Sequence, residues 1–273
     1  MQNFPIVPTE MVSSLWRNHD LILALIKREV VGRYRGSVMG IAWSFFNPLL
    51  MLVIYTFVFS GVYKSRWDMG GGDGKTSVAI LLFVGMIVHG LFAECVNRAP
   101  GLILANVNYV KKVIFPLEIL PWVTFGAALF HTIISLGVLL LMQLILSHQM
   151  PWTVIFFPLI LLPLVFATIG FTWFLAALGV YVRDIGHVTG LFTTILLFVS
   201  AVFYPISALP KKYQGFVQLN PLAIIIEEGR RTLIFGHLPD ISRWGVMLAV
   251  GLLIAWAGFA WFQKTRKGFA DVL

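Results

Sequence analysis

The sequence predicts an all-α integral membrane protein with six transmembrane helices, and three observations lead to that fold class. The 273 residues are 59% hydrophobic and 12% charged, with a mean hydropathy of +0.88, whereas soluble domains carry about 25% charged residues. Six apolar runs are each long enough to cross a hydrocarbon core of about 30 Å, which takes roughly 20 helical residues. The runs are too long and continuous for barrel strands, and lipid offers open backbone no hydrogen-bond partner.

The first predicted element is an N-terminal amphipathic helix over residues 11–30. Arg17, Asp20 and Lys27 lie away from its apolar side. The apolar side comprises Met11, Val12, Leu15, Trp16, Ile22, Leu23 and Ile26. A helix with this pattern lies in the head-group plane of a membrane. Packing of the same side against another protein helix is the alternative interpretation.

The six predicted spans then follow in order. They cover residues 37–63, 77–97, 117–146, 154–180, 188–208 and 244–263. The third and fourth exceed the minimum length, so we expect tilt or extension beyond the bilayer. The chain therefore divides into an N-terminal cytoplasmic segment (1–36), a six-span domain (37–263) and a cytoplasmic tail (264–273).

The segment between the fifth and sixth spans, residues 209–243, is too polar to cross a membrane. Its helical pattern predicts one or two short helices at the outer membrane surface. Glu227 is spaced to pair with Arg230 or Arg231 at i,i+3 or i,i+4.

The net charge of +8 comes from basic residues that cluster beside apolar runs. The clusters at the two ends of the six-span region are Lys27, Arg28, Arg33 and Arg35, and Lys264, Arg266 and Lys267. This placement favours contact with lipid head groups over nucleic acid, for which no binding motif is present. We expect both termini in the cytoplasm. The first residues lack the pattern of a cleavable signal peptide, so the first span is expected to direct insertion.

The sequence contains no complete catalytic, metal-binding or nucleotide-binding motif. "MGGGDGKT" (Met69 to Thr76) nearly matches the phosphate-binding loop G-x-x-x-x-G-K-[ST], but Met69 replaces the first glycine, and the motif needs a preceding strand and a following helix. A glycine loop between two spans is favoured. Cys95 is the only cysteine, so no intrachain disulfide is possible, and we expect it to be a packing residue. We expect this chain to bind no ATP, to hold no metal and to catalyse no reaction by itself.

Aromatic residues are dense in the first and fifth predicted spans. Tyr55, Phe59 and Tyr63 follow at i, i+4 and i+8 and therefore share one face of a helix. Aromatic faces suit the C–H faces of sugar rings, and tyrosine adds a hydroxyl group that can form hydrogen bonds. Lipid-facing packing, with tyrosines in an interfacial belt, is the alternative interpretation.

Four stretches resemble a known family in the family's order and together cover nearly the whole chain. The first is "LIKREVVGRYRGSVMGIAWSFFNPLLMLVIYTFVF", and the second is "NVNYVKKVIFPLEILP" (Asn106 to Pro121). The others are "YVRDIGHV" and "VFYPISALPKKYQGFVQLNPLAIIIEEGRRTLIFG". They are similar to ABC-2-type permeases that export polysaccharides such as O-antigen, capsular polysaccharide or teichoic acid.

The resemblance implies a bacterial inner-membrane permease that forms a homodimer and pairs with two copies of a separate ATPase subunit. ATP and Mg²⁺ would be bound by that partner, and the substrate would be a lipid-linked polysaccharide. A channel at the dimer interface would be lined largely by the first and fifth spans. Its candidate residues are Trp43, Phe46, Tyr55, Phe59, Tyr63, Phe198, Phe203 and Tyr204. Arg33 and Arg35 are candidates for a substrate entrance that attracts pyrophosphate.

The resemblance also implies a cytoplasmic surface for contact with the ATPase. Its candidate residues are Asn106, Asn108, Tyr109, Lys111, Lys112, Arg183 and Asp184. A short helix around residues 100–112, ended by Pro116, would act as a stiff lever. Plain membrane anchoring by Lys111 and Lys112 is the alternative.

Three other functions are alternatives to export of a polysaccharide. An ABC-2 permease for another lipid or a drug has the same fold, and the aromatic density disfavours it only modestly. An ion-coupled flippase is disfavoured because the span centres lack a chain of Asp, Glu and His residues. A membrane-bound glycosyltransferase would need an acidic catalytic cluster in an aqueous loop, and the loop acids show no such spacing.

Overall fold

The computed structural model describes residues 5–58, 76–111, 115–148 and 150–273, and this part of the chain contains twelve α-helices and no β-strand. Helices α1 (Pro8–Arg17) and α2 (His19–Arg33) precede the first span. They replace the single helix predicted for residues 11–30. The break falls at Asn18, whose side-chain amide donates to the carbonyl oxygen of Ser14 at 2.8 Å and so competes with the helical backbone pattern.

Helix α1 is the amphipathic part of the N-terminal segment. Met11 and Ser14 are buried against the protein, whereas Trp16 is 81% exposed on the opposite side. The indole of Trp256 donates to the carbonyl oxygen of Ile6 at 3.1 Å. One face of α1 therefore packs on the protein, as the alternative interpretation required, and the other face is available to lipid.

Five helical stretches of the described chain are long and apolar enough to cross a membrane. They are Gly40–Val58, Val78–Gly101, Leu117–Ser147, Trp152–Tyr181 and Ile241–Val272. Their main helices are α3 (Trp43–Tyr55), α4 (Thr76–Arg98), α6 (Leu120–Ser147), α7 (Phe157–Tyr181) and α11 (Ile241–Thr265), while α5 (Val107–Val110) lies before α6 and α12 (Phe269–Val272) ends the chain. Five of the six predicted spans thus correspond to a long apolar helix.

The predicted fifth span, residues 188–208, is not one continuous helix. Helix α8 covers Ile185–Val199, and its 15 residues are about 22 Å long at a rise of about 1.5 Å per residue. The chain then turns at Ala201, which has a φ of 55°. The buried guanidinium group of Arg230 binds the carbonyl oxygens of Ala201 at 2.9 Å and Val202 at 2.7 Å, and that of Leu81 at 3.0 Å. These bonds stabilise a turn that ends the helix early.

Two helices, α9 (Lys211–Gln218) and α10 (Pro221–Leu233), occupy the polar segment before the last span. Helix α10 starts where a helix is expected: the side chain of Asn220 accepts a hydrogen bond from the backbone N–H of Leu222 at 3.0 Å, and a proline follows the cap. Glu227 lies 3.6 Å from Arg230, which confirms the predicted pair. Glu228 pairs with Arg231 at 2.8 Å.

Helices α7 and α11 are in backbone contact through glycines. A Cβ atom added to Gly258 would lie 2.1 Å from the carbonyl oxygen of Gly170, and one added to Gly251 would lie 2.5 Å from that of Pro163. Small residues allow this close approach of helices within membranes. On the neighbouring face Trp173 is fully buried, with its ring 5.1 Å from that of Phe259. These two helices form the most closely packed part of the fold.

One end of the molecule is held by a polar cluster around Glu118, here called the Glu118 cluster (Ser14, Phe115, Glu118, Trp173 and Arg266). Arg266 donates to the buried carboxylate and, at 3.0 Å, to the carbonyl oxygen of Phe115. The hydroxyl of Ser14 donates to the same carboxylate at 3.3 Å, and Trp173 donates to the carbonyl oxygen of Glu118 at 3.0 Å. The cluster joins α1, α7 and the C-terminal end to the start of α6.

We expect Gly258→Ala to lower the stability of the protein. The added methyl group would overlap the backbone of α7, and overpacking of this kind costs about 1–3 kcal/mol. The matched control is Gly245→Ala on the same helix, where an added Cβ meets nothing within 4 Å. Thermal unfolding of the purified variants in detergent compares the two. A midpoint for Gly258→Ala equal to that of Gly245→Ala would contradict the close packing of α7 and α11.

Candidate transport cavity and coupling surface

A cavity of about 520 Å³ lies between α3, α4, α6 and the end of α2. Its polar lining comprises Arg33, Tyr34, Ser44, Asn47, Glu94, His131, Thr132 and Ser135. Trp43, Tyr55 and Phe83 supply aromatic walls. This volume falls within the range of about 300 to 1,000 Å³ that small-molecule binding sites occupy. We call it the polar cavity.

The chain between α2 and α3 turns sharply and thereby places Arg33 opposite α3. Gly36 has a φ of 86° and Gly40 a φ of 54°, a backbone region that glycine enters at no steric cost. Pro48 lies inside α3, where it removes one helical hydrogen bond, and it lines the cavity. Two glycines and a proline therefore shape the wall that carries Trp43 and Tyr55.

Four charged residues, the charge quartet (Glu29, Arg33, Glu94 and Arg98), join α2 to α4. Arg33 is hydrogen-bonded to Glu94, and Arg98 to Glu29. Arg98 Nη1 also lies 3.7 Å from Glu94 Oε1. Each helix contributes one Glu and one Arg four residues apart, so the quartet has no net charge. Among the described residues no group of three or more His, Cys, Asp and Glu side chains could hold a metal ion.

Sequence reasoning identified Arg33 but missed its partners. Neither Glu94 nor Glu29 is among the residues predicted for the site. The signal was present in the repeated E-x-x-x-R spacing of "EVVGR" (29–33) and "ECVNR" (94–98), which puts both charges on one face of each helix. Arg35, the other predicted entrance residue, is exposed and does not line the polar cavity.

Tyr34 and His131 form a second polar contact in the cavity wall. The Tyr34 hydroxyl lies 3.3 Å from His131 Nδ1, and the two rings meet edge to face at 5.9 Å. Burial raises the pKa of the Tyr34 phenol above its ordinary value, so the hydroxyl keeps its proton. His131 Nε2 is buried and has no hydrogen-bond partner within the described ranges.

The structure divides the predicted aromatic channel residues into separate groups. Trp43 and Tyr55 line the polar cavity, whereas Phe46 is exposed and does not. Phe198, Phe203 and Tyr204 gather instead at the end of α8. There the rings of Phe198 and Phe203 are 5.6 Å apart, and the Tyr204 hydroxyl donates to the carbonyl oxygen of Phe198 at 2.8 Å. Phe59 and Tyr63 lie outside the described residues.

The predicted lever around residues 100–112 is not one continuous helix. Two 3₁₀ turns, Ala99–Gly101 and Leu104–Asn106, precede the four-residue helix α5. The side-chain amide of Asn106 donates to the carbonyl oxygen of Leu102 at 2.8 Å, which competes with helical hydrogen bonds. Asn108 lies within α5, and Lys111 follows it, exposed. Lys112 lies outside the described residues.

Tyr109 is the best-fixed residue of this segment. Its ring stacks on Phe115 with centroids 4.1 Å apart and an interplanar angle of 7°. Its hydroxyl accepts a hydrogen bond from Arg28 Nη1 at 2.7 Å. Tyr109 therefore connects α5 both to α2, which carries Arg33, and to Phe115, which precedes α6.

Arg183 and Asp184 lie exposed in the short connection between α7 and α8. The end of α7 packs on the Ala99–Gly101 turn, because a Cβ added to Gly179 would lie 2.2 Å from the carbonyl oxygen of Pro100. The structure therefore brings the two predicted coupling segments to the same end of the molecule. That end also holds the charge quartet, since Arg98 immediately precedes the turn.

Comparison with known proteins gives the family. The family model for the ABC-2 type transporter matches residues 20–235. The O-antigen export system permease protein RfbA of Myxococcus xanthus is 27% identical to this chain, and the match covers 96% of this chain and 98% of the relative. A Klebsiella pneumoniae protein of the same name is 23% identical, and the match covers 93% of this chain and 95% of the relative. The polysialic acid transport protein KpsM of Escherichia coli is 23% identical over 89% and 92%. Since the family model covers well over half the residues, the chain belongs to the ABC-2 type transporter family.

Proposed function

We propose that this chain is the permease subunit of an ATP-driven exporter that moves lipid-linked polysaccharide of the O-antigen type across the bacterial inner membrane. The observation that carries the proposal is the similarity to polysaccharide export permeases over nearly the whole of both chains. The polar cavity supports it, because an arginine lines it together with the rings of Trp43, Tyr55 and Phe83, as a phosphate-linked sugar would require.

The proposed assembly is a homodimer with two copies of an ATPase subunit, and that subunit binds ATP and Mg²⁺. With six spans, α8 being part of the fifth, both termini lie on the same side, and the basic residues beside the first and last spans favour the cytoplasm. A second copy would cover α3, since 11% of the apolar stretch around α3 is buried within the chain, compared with 78% of the stretch around α4. An apolar helix so little covered by its own chain faces lipid or a second copy.

In this proposal the substrate's pyrophosphate meets Arg33 and Arg35 at the cytoplasmic end, and its sugars pass Trp43 and Tyr55. Phe198, Phe203 and Tyr204 line a later part of the path in the dimer. Closure of the ATPase presses on α5 and on the connection at Arg183 and Asp184. Tyr109 transmits that movement through Arg28 to α2. The coupling element is then the pair of turns and the short helix α5, held by the contacts of Tyr109, in place of one long helix.

A clean deletion strain tests the export function itself. We expect surface glycan to disappear and lipid-linked glycan to accumulate in the cytoplasm, and a plasmid-borne copy should restore export. ATP depletion should stop transport, whereas an uncoupler should stop it only as far as it lowers ATP. Normal surface glycan in the deletion strain would disprove the proposal, and transport that survives ATP depletion but fails with an uncoupler would favour an ion-coupled flippase.

Tyr55→Ala should lower the export rate while assembly with the ATPase persists. Loss of an aromatic contact is worth about 0.5–1.5 kcal/mol, or roughly two- to tenfold in rate. Tyr55→Phe keeps the ring and should retain most of the export. Phe57→Ala, two residues away and outside the cavity lining, is the control. Pulse-chase labelling of surface glycan measures the export rate. Equal export rates for Tyr55→Ala and Phe57→Ala would show that the Tyr55 ring serves packing and not transport.

Charge reversal in the coupling segment, Lys111→Glu with Lys112→Glu, should weaken the interaction with the ATPase. The basic side chains are proposed to meet acidic groups of the partner, and like charges would repel. Co-purification with the ATPase and stimulation of its hydrolysis rate are the measurements. Lys264→Glu, an exposed lysine in the last turn of α11, controls for loss of membrane anchoring. An effect of the same size in that control would show that Lys111 and Lys112 only anchor the chain at the membrane surface.

A further inference from the structure

The only described cation that lines the polar cavity, Arg33, is already engaged by a carboxylate of the same chain. Arg33 Nη2 donates to Glu94 Oε1, and both residues line the cavity. A guanidinium group binds carboxylate and phosphate in the same forked geometry. An anionic ligand that takes the nitrogen bound to Glu94 therefore competes with Glu94 for Arg33.

Glu94 has a second partner within reach. Its Oε1 atom lies 3.7 Å from Nη1 of Arg98, which is four residues along the same helix. That nitrogen is buried, and no described residue accepts a hydrogen bond from it. The other terminal nitrogen of Arg98 binds Glu29. Arg98 can therefore hold two carboxylates at once, one on each nitrogen, if Glu94 leaves Arg33.

Further donors surround the place that an anion would take. The protonated hydroxyl of Tyr34 and the ring of His131 line the cavity next to Arg33, and His131 Nε2 is without a partner among the described residues. Asn47 and Ser135 also line it. A phosphate group has several acceptor oxygens, and this mixture of one guanidinium group and neutral donors suits it.

We propose that Glu94 is an exchangeable counter-ion for a phosphate or pyrophosphate group. In the empty cavity Glu94 neutralises Arg33; when the phosphate binds, Arg33 passes to the phosphate and Glu94 turns to Arg98. Every charged group keeps an oppositely charged neighbour in either state, with Arg98 shared by Glu29 and Glu94 in the bound state, which lowers the cost of an unpaired, partly buried ion. The ligand identity rests on the proposed function, in which the phosphate belongs to a lipid-linked glycan.

Glu94→Gln tests the exchange, because it removes the competing carboxylate and leaves Arg33 in place. We expect purified full-length protein in nanodiscs to bind labelled undecaprenyl pyrophosphate about tenfold more tightly. The matched control is Glu10→Gln, which removes a carboxylate paired with Arg17 at 2.7 Å on α1, outside the cavity. The Arg17 hydrogen bond lowers the pKa of Glu10, so the control changes the net charge equally. Unchanged or weaker binding by Glu94→Gln would overturn the exchange and leave Glu94 a structural link between helices.

Arg98→Gln tests the second half of the exchange and keeps the proposal falsifiable if Glu94→Gln fails to fold. Without Arg98, Glu94 loses its alternative partner, so we expect about threefold weaker binding of the pyrophosphate lipid. In the Glu94→Gln background the same change should have no further effect. Equal affinity of the wild type and the Arg98→Gln single variant would overturn the proposed movement of Glu94. Thermal midpoints of all variants exclude misfolding as the cause.

Two further probes identify the source of the phosphate. Competition by inorganic pyrophosphate would support recognition of the anion alone, and a requirement for the lipid would support recognition of a head group. Undecaprenol that binds as tightly as its pyrophosphate, with the same response to Glu94→Gln, would overturn the exchange. The deletion strain tests export separately. Glycan trapped in that strain, together with unchanged lipid binding by Glu94→Gln, would disprove only the exchange. Normal surface glycan in that strain, together with tighter lipid binding by Glu94→Gln, would disprove only the export function.

Discussion

The buried pair of Glu118 and Arg266 is the interaction on which the arrangement of the proposed site depends. An ion pair with so little contact with water is stable only when other hydrogen bonds satisfy its remaining polar atoms, and Ser14 and the Phe115 carbonyl do so here. Because Arg266 holds the Phe115 backbone, it also fixes the ring on which Tyr109 stacks. From Tyr109 the contact continues through Arg28 to α2 and the polar cavity. Residues far apart in sequence therefore set the position of Arg33.

The described helices differ strongly in how much of each one the rest of the chain covers. Helices α7 and α11 meet backbone to backbone through glycines, and α4 is largely enclosed. Helices α3 and α8 instead present large apolar side chains outward, such as Phe198 at 59% exposure. Helices α4, α7 and α11 thus form a closely packed unit. The outer faces of α3 and α8, which pack on it, remain exposed to lipid or to another subunit. The polar cavity lies at the border between these parts, where a relative movement would change its shape.

Hydropathy was sufficient to predict five long spans, because the length and polarity of a segment are local properties. Local spacing also predicted the pair of Glu227 and Arg230. Hydropathy failed at the fifth span, because no residue near Ala201 in the sequence reveals that an arginine 29 residues later binds the carbonyl oxygen of Ala201. The roles of Glu94 and Glu118 were not predicted for the same reason, because their partners Arg33 and Arg266 lie far away in the sequence. The aromatic channel residues were grouped by type, whereas the fold separates Tyr55 from Phe198. Their roles in transport remain predictions.

The turn after α8 has a consequence for how its side chains can vary. Arg230 recognises this turn through the backbone oxygens of Ala201 and Val202, and every amino acid carries such an oxygen. The side chains that follow, including Phe203 and Tyr204, are consequently not needed to hold the chain in place through that arginine. Selection could exchange Phe203 to suit a different sugar while these bonds held the turn, whereas Tyr204 also holds the turn through its hydrogen bond to the carbonyl oxygen of Phe198. Because Arg230 binds backbone atoms, its contribution to the stability of this turn does not depend on which side chains the turn displays.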